Sequence, residues 1–275
     1  MERYKEIERS LITTYRRYIY SPFIKAIKDF NLIENGDKIA VCISGGKDSM
    51  VLAKCMQELK NHGIDNFEIC FIVMDPGYNQ ANLEKIKENL SILNINATIY
   101  DSNIFDVSES LTNGNPCYLC ARMRRGFLYA KAKELGCNKI ALGHHFDDVI
   151  ETNLMGMLYN GQFQTMLPKL KSDNFEGMEL IRPLYYVREK HIIAFSNANG
   201  LTFIRCACKL TEKFSTPDGD ESSKRAFTKS LIAKLEKDDP HIPMNIFKSS
   251  YNVQLGAVIE YKDKNGIRHN FLDEY

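Results

Sequence analysis

Lys38 to Met50, KIAVCISGGKDSM, decides the fold of this chain. Its apolar first half, KIAVCI, reads as a short strand, and SGGKDS reads as a loop built to hold phosphates. Consecutive glycines, Gly45 and Gly46, let backbone N–H groups approach a pyrophosphate with no Cβ in the way, and Ser44 and Ser49 add hydroxyl donors. Lys47 adds a mobile positive charge. Beyond the loop, Val51, Leu52, Cys55, Met56 and Leu59 fall along one helical face. The loop therefore opens onto a helix N-terminus, whose unpaired N–H groups favour an anion. The pattern is neither GxxxxGK followed by Ser or Thr nor GxGxxG, which sets it apart from P-loop and dinucleotide folds. A Gly-Gly pair alone also suits a plain strand-to-helix turn. The flanking serines, Lys47 and Asp48 favour the phosphate reading.

Working outward, FEICFIVMD (67–75) and NATIYDS (96–102) read as strands, with ANLEKIKENLSILN as a helix between them. RRGFLYAKAKELG gives a helix ended by Gly136, KIALGHH a strand, and DDVIETNLMGMLYN a helix whose acidic start suits its N-terminus. Strands alternating with helices imply right-handed crossovers and an α/β fold with a parallel, Rossmann-like sheet. Its ligand belongs at the carboxyl ends of the strands, near a reversal of strand order. Three loops fall there: Ser44–Ser49, Asp75–Tyr78 and Gly143–Asp148. Before them, Ile7, Leu11, Ile12, Tyr15, Ile19, Phe23, Ile24 and Ile27 predict two helices that part near Pro22. Residues 161–177 read as a loop, Glu189–Ala198 as a helix and LTFI (201–204) as a short strand. The expected divisions are an N-terminal helical segment (1–36), the sheet domain (37–210) and a C-terminal helical tail (211–275).

At 275 residues, 44% hydrophobic and 26% charged, the chain can bury one α/β core. A formal net charge of +1 excludes a global polycation, so any RNA contact must come from local patches. No apolar run suits a membrane span, and the charged start MERYKEIERS does not suit a secretory signal, so a cytoplasmic protein without a membrane partner is expected. Eight cysteines in that setting point to reduced thiols, metal ligands or redox chemistry rather than a disulfide framework.

Cys117 and Cys120 form a Cys-x-x-Cys immediately before a predicted helix that carries Arg122, Arg124, Arg125, Lys131 and Lys133. Those cations and the helix start would lower thiol pKa values. A lone pair of this kind is half a zinc site, a redox dithiol or coincidence. Cys206 and Cys208, after LTFI, can return to the same sheet edge. Four thiolates suit one structural zinc, whereas an iron–sulfur cubane tolerates three. Cys42, Cys55, Cys70 and Cys137 read as small buried hydrophobes. The basic residues suit either RNA phosphates or a solvated helical face.

SGGKDS is similar to the SGGxDS loop of the N-type ATP pyrophosphatase (PP-loop) superfamily, whose members adenylate a carbonyl oxygen with ATP and release pyrophosphate. SGGKDS, PCYLCARMRRG, ALGHHFDD and FIRCACK, in this order, resemble the TtcA group of tRNA thiolases, which make 2-thiocytidine in tRNA. The likeness runs from about Phe30 to Cys208. By position it implies a 4Fe–4S cluster on Cys117, Cys120 and Cys206, whereas Cys206-Ala207-Cys208 departs from the second CxxC-like pair of the group. It further implies ATP bound by Ser44, Gly45, Gly46, Lys47, Asp48, Ser49, Asp75, Gly143, Asp147 and Asp148. Mg²⁺ would sit on one or both of Asp147 and Asp148, which as residues at a helix start also serve as caps.

The expected reaction is adenylation of the C2 carbonyl of a pyrimidine, cytidine in the anticodon loop or alternatively a uridine, followed by replacement of oxygen by sulfur. Lys47, Asp48 and Asp148 would act on the ATP side, with Cys117, Cys120 and Cys206 on the sulfur side, either through an open iron or as a persulfide. The expected partners are tRNA and a sulfur donor, either a cysteine desulfurase or sulfide. Lysidine synthetases need no cysteine cluster, adenylylsulfate reductases place CxxC late in the chain, and a nucleotide sensor would form no AMP. The N-terminal helices serve either as a homodimer interface or as packing on their own domain.

Overall fold

The computed structural model describes residues 2–63, 66–102, 104, 116–204 and 224–274, with the backbone alone at 116–121 and 274. The chain divides into two compact units, Met1–Val149 with Met166–Ser223, and Ile150–Thr165 with Lys224–Tyr275.

The first unit is built on a six-stranded sheet in the order β3-β2-β1-β4-β6-β5. Its strands are β1 (Lys38–Ile43), β2 (Glu68–Asp75), β3 (Ala97–Asp101), β4 (Lys139–Ala141), β5 (Lys169–Lys171) and β6 (Glu179–Ile181). All neighbours run parallel except β5, which pairs antiparallel with β6 at the edge. Ile39, Ala40 and Val41 of β1 have no exposed surface, as a strand covered on both faces requires. In register, Ala40 lies between Cys70 of β2 and Ile140 of β4.

Among the described residues the α-helices of this unit or entering it are α1 (Arg3–Ile12), α2 (Ser21–Asp29), α3 (Lys47–His62), α4 (Gln80–Ile92), α5 (Pro116–Glu134), α6 (Phe146–Asn160) and α7 (Glu189–Ala198). A π-helical turn, Arg16–Tyr20, links α1 to α2, and Pro22 sits in the first turn of α2, where its missing N–H costs nothing. Ile7 and Leu11 of α1 are buried within the chain itself. Beside them Lys54 of α3 is fully buried: its Nζ donates to Glu8 at 2.6 Å, Gln57 at 2.7 Å and the Leu93 carbonyl at 3.0 Å. Where β1 and β4 begin, the Asp37 carboxylate accepts from Glu34 N–H (2.6 Å) and Asn138 Nδ2 (2.7 Å), and pairs with Lys139 Nζ at 2.6 Å.

Three local expectations change. Cys117 and Cys120 lie inside the first turns of α5 rather than before it, because Pro116 is pre-organised as an opening helical residue. Residues 201–204 form no strand; Thr202 instead gives its carbonyl to Asn89 Nδ2 of α4 at 2.9 Å. The expected loop at 161–177 contains β5, a three-residue edge strand.

In the second unit, Asn153 Nδ2 in the later part of α6 donates to the Ile246 carbonyl at 3.3 Å, and Glu151 pairs with Arg225 at 3.6 Å. The unit contains α8 (Lys224–Asp238) and α9 (Ile242–Ser249), followed by an antiparallel hairpin of β7 (Glu260–Lys262) and β8 (Arg268–Asn270). Among the described residues the tail is thus α-helical only to Ser249, with two short 3-10 turns beyond it at Leu255–Ala257 and Phe271–Glu274. Asp263 Oδ1 accepts from Asn265 N–H and Ile267 N–H, both at 2.9 Å, and Gly266 takes the positive φ of 79° that closes the turn. Among the described residues, no helix is long and apolar enough to cross a membrane.

Candidate active site

Strand order reverses at β1 and β4: β2 and β3 extend to one side and β6 and β5 to the other. A reversal of this kind is where a ligand crevice forms at the strand ends, beside the loops leaving β1 and β4. A cleft of about 380 Å³ lies there, lined by Ser44, Gly46, Asp48, Ser49, Gly143 and Asp148, with Arg124 and Arg125 of α5.

SGGKDS holds its own shape. Ser49 Oγ accepts from Ser44 N–H and Ser44 Oγ, each at 3.1 Å, and donates to the Gly46 carbonyl at 3.0 Å. Gly45 has a φ of +83°, and a Cβ there would meet Ile86 and Ile204 side chains at 2.7 Å. Ile204, two residues before Cys206, is thus seated against the loop. Gly143 brings the β4 loop equally close: a Cβ would lie 2.9 Å from Ser49 N and 3.0 Å from the Asp48 carbonyl carbon. Gly46 precedes the first turn of α3, whose N–H groups face the loop's end of the crevice.

Charged groups converge around this loop. Lys47 Nζ lies 2.8 Å from Glu189 and 3.1 Å from Asp48. Burial opposes the lysine's charge, but Asp48 and Glu189 outweigh it and hold its pKa above the usual value. Burial pushes the Asp48 carboxyl up, and Asp148 adds to this, while His145 and Lys47 pull the other way. Asp48 Oδ1 is buried without a hydrogen-bond partner, with buried His145 Nε2 at 3.6 Å. His145 Nδ1 also lies 3.5 Å from Asp148 Oδ2, to which the His145 backbone N–H donates at 3.0 Å. An orphaned carboxylate oxygen beside a second carboxylate in the cleft fits Mg²⁺, which takes one or two protein carboxylates and completes its shell with phosphates and water. No group of three or more His, Cys, Asp or Glu among the described residues forms an all-protein cage.

The other two acids are placed differently. Asp147 accepts from Arg188 Nε at 3.0 Å and Glu189 N–H at 2.6 Å, and so ties the start of α6 to the start of α7. Asp75 accepts from Gly77 N–H at 2.8 Å and Tyr78 N–H at 2.7 Å, while Tyr78 Oη donates to the Ser44 carbonyl at 3.1 Å. Asp75 thereby shapes the β2 turn and lets Tyr78 brace the phosphate loop. The Cys117 and Cys120 side chains, and Cys206 and Cys208 entirely, lie outside the described residues. Of the remaining cysteines, Cys42, Cys55 and Cys137 are buried, and Cys70 Sγ lies 3.3 Å from Cys137 Sγ.

Sequence reasoning passed over Glu189 and Arg188. Their signal was available: an Arg-Glu pair at a helix start, in a chain whose phosphate-loop lysine needs a carboxylate partner in the absence of phosphate.

Residues 19–215 match the PP-loop domain family. A tRNA-cytidine(32) 2-sulfurtransferase of Syntrophotalea carbinolica is 39% identical over 232 residues, covering 84% of this chain and 86% of that protein. Its namesake in Legionella pneumophila is 41% identical over 240 residues, covering 86% and 81%. Among solved structures, a U34-tRNA thiolase of Methanococcus maripaludis with its 4Fe–4S cluster shares the fold, with a TM-score of 0.66 at 22% identity over 85% of this chain and 79% of that one. With two thirds of its length matched by that domain and its phosphate loop at the strand-order reversal, the chain belongs to the PP-loop family, in the group of the tRNA-cytidine(32) 2-sulfurtransferases.

Proposed function

We propose that this chain is an ATP-dependent tRNA sulfurtransferase that adenylates the C2 carbonyl oxygen of a cytidine in the anticodon loop and then replaces that oxygen with sulfur, releasing AMP. The observation that carries this reading is the crevice where SGGKDS meets Asp148, with one oxygen of Asp48, 3.6 Å from His145 Nε2, buried and unsatisfied. The choice of tRNA and cytidine is supported by the relatives' names.

In this reading the triphosphate lies against the first N–H groups of α3 and the Ser44 and Ser49 hydroxyls. Lys47, released from Glu189 as phosphate oxygens arrive, balances the charge that grows on pyrophosphate as it leaves. Asp48 and Asp148 would hold Mg²⁺, which would supply charge neutralisation at the phosphates. Asp147 holds Arg188 and the Glu189 backbone, and so keeps Glu189 within reach of Lys47. The target base must leave its stack to present C2, which suits a loop nucleotide. Cys117, Cys120 and Cys206 would hold the 4Fe–4S cluster, whose chemistry is to accept and present sulfur obtained from sulfide or a cysteine desulfurase.

The test is anaerobic incubation of the protein with ATP, Mg²⁺, sulfide and unmodified tRNA, followed by nucleoside mass analysis and AMP assay. 2-Thiocytidine with matching AMP is the expected result. 2-Thiouridine would move the target, and AMP formation indifferent to tRNA, without thiolated product, would overturn the reading.

A further inference from the structure

A second cleft, of about 610 Å³, shares Arg125 with the first and contains Arg122, Lys171 and Arg182 as further cations. Among the described residues Asp173 is its one acidic lining residue, beside four cations. Arg182 is only 6% exposed, and its Nε has no hydrogen-bond partner among the described residues. One of its Nη atoms donates to the Leu167 carbonyl, which fixes the guanidinium. Burial, with Arg125 beside it, lowers its pKa to about 10 against the smaller pull of Asp148, so the charge persists at neutral pH. A buried cation beside other cations is costly unless an anion joins them.

The wall of the cleft is preformed. Tyr129 of α5 stacks on Phe175 with ring centroids 5.1 Å apart and planes 12° from parallel. Phe175 is held by the turn between β5 and β6, where its N–H donates to Ser172 Oγ at 3.2 Å and Ser172 N–H to the Met178 carbonyl at 2.9 Å. Arg122, Arg125 and Lys171 are exposed, and Arg182 alone among the four cations is buried.

We propose that this second cleft grips a phosphodiester of the RNA substrate next to the pyrimidine that reacts, with Arg182 as its buried anchor and Arg122, Arg125 and Lys171 around it. The proposal rests on the tRNA reading above. A planar guanidinium fork with free donors matches phosphate oxygens, and Arg125 joins this cleft to the one where the base must meet ATP. A strand that delivers its base to the first cleft would thus lay its backbone over the second.

The experiment is a titration of the full chain with a fluorescently labelled anticodon stem-loop RNA over a series of salt concentrations. Wild type is compared with Arg122→Ala/Lys171→Ala and with an equal-charge control at exposed sites elsewhere, Lys28→Ala/Lys87→Ala. The cleft variant is expected to melt like wild type, to bind RNA about tenfold more weakly at low salt, and to lose about one to two from the salt slope. Arg182→Lys, which keeps the charge and loses the fork, should also bind several-fold more weakly. Equal affinity and slope in the cleft variant, or an equal loss in the control, would overturn the proposal. So would relief of pyrophosphate inhibition with RNA affinity intact, which would assign the cleft to the leaving product. Wild type that binds no RNA would instead sink the tRNA reading itself.

Discussion

Gly143 has no room for a side chain, and the atoms in the way are backbone. A Cβ would stand 2.9 Å from Ser49 N and 3.0 Å from Ser49 Cα, so either the β4 loop or the first turn of α3 must move. Gly143→Ala should cost about 1–3 kcal/mol of stability, as overpacking does, and weaken ATP binding by misplacing the phosphate loop. Thermal melting and ATP titration check both, and an alanine variant with wild-type values in each would refute the contact. In the proposed reaction Lys47 acts by charge, which Asp48 and Glu189 secure against burial. Lys47→Ala should lower AMP formation about 10²-fold, the scale of losing one stabilising donor, while RNA affinity measured without ATP stays unchanged. An equal loss of RNA affinity would place this lysine on the RNA path instead.

At the scale of elements, β1 and β4 are registered by more than their backbone ladder. Asp37, just before β1, accepts from Asn138 and pairs with Lys139 at the start of β4, and Asn138 Oδ1 accepts from Lys38 N–H at 2.9 Å. Burial works against the Asp37 carboxylate, but Lys139, Asn138 and the Glu34 N–H outweigh it and hold its pKa below the usual 3.8. A carboxyl depressed by folding contributes its stability in full above its unfolded pKa and loses it as pH falls through the folded one. The stability gap between wild type and Asp37→Asn should therefore be flat from about pH 5 to 7 and close below about pH 4. Urea unfolding across that series measures it, and a gap persisting undiminished at about pH 2 would remove Asp37 as its source. This clasp was not legible in the sequence, because Asp37 and Lys139 lie 102 residues apart and no local pattern pairs them. The long apolar runs of β1 and β2 were legible, since burial on both faces leaves that mark. Three-residue strands such as Lys169–Lys171 are too short for any period to show. The hairpin of the tail did carry a signal, Asn265-Gly266, between segments with little apolar alternation to support it.

For the whole molecule, the N-terminal helices belong to the unit of the sheet, while the later part of α6 shares a unit with the tail from Lys224 onward. Apolar periodicity in residues 147–160 marks a helix but cannot say which neighbours each half will meet, so this partition had no sequence signature. It predicts that the tail is not uniformly dispensable. Within the second unit, Ile232 is 5% and Phe247 3% exposed, and Glu151 and Asn153 are buried beside Arg225 and Ile246. The closing segment is different: Ile259 is 76%, Ile267 56% and Leu272 63% exposed. Ending the chain after residue 252 should therefore leave the melting temperature within a few degrees of wild type, because little buried surface is lost. Ending it after residue 223 strips the cover from Glu151 and Asn153 and should give aggregated protein or a broad, early transition. Size-exclusion chromatography with thermal melting separates the two truncations. A soluble, cooperatively melting 1–223 chain would show that Ile150–Thr165 holds its structure without the tail.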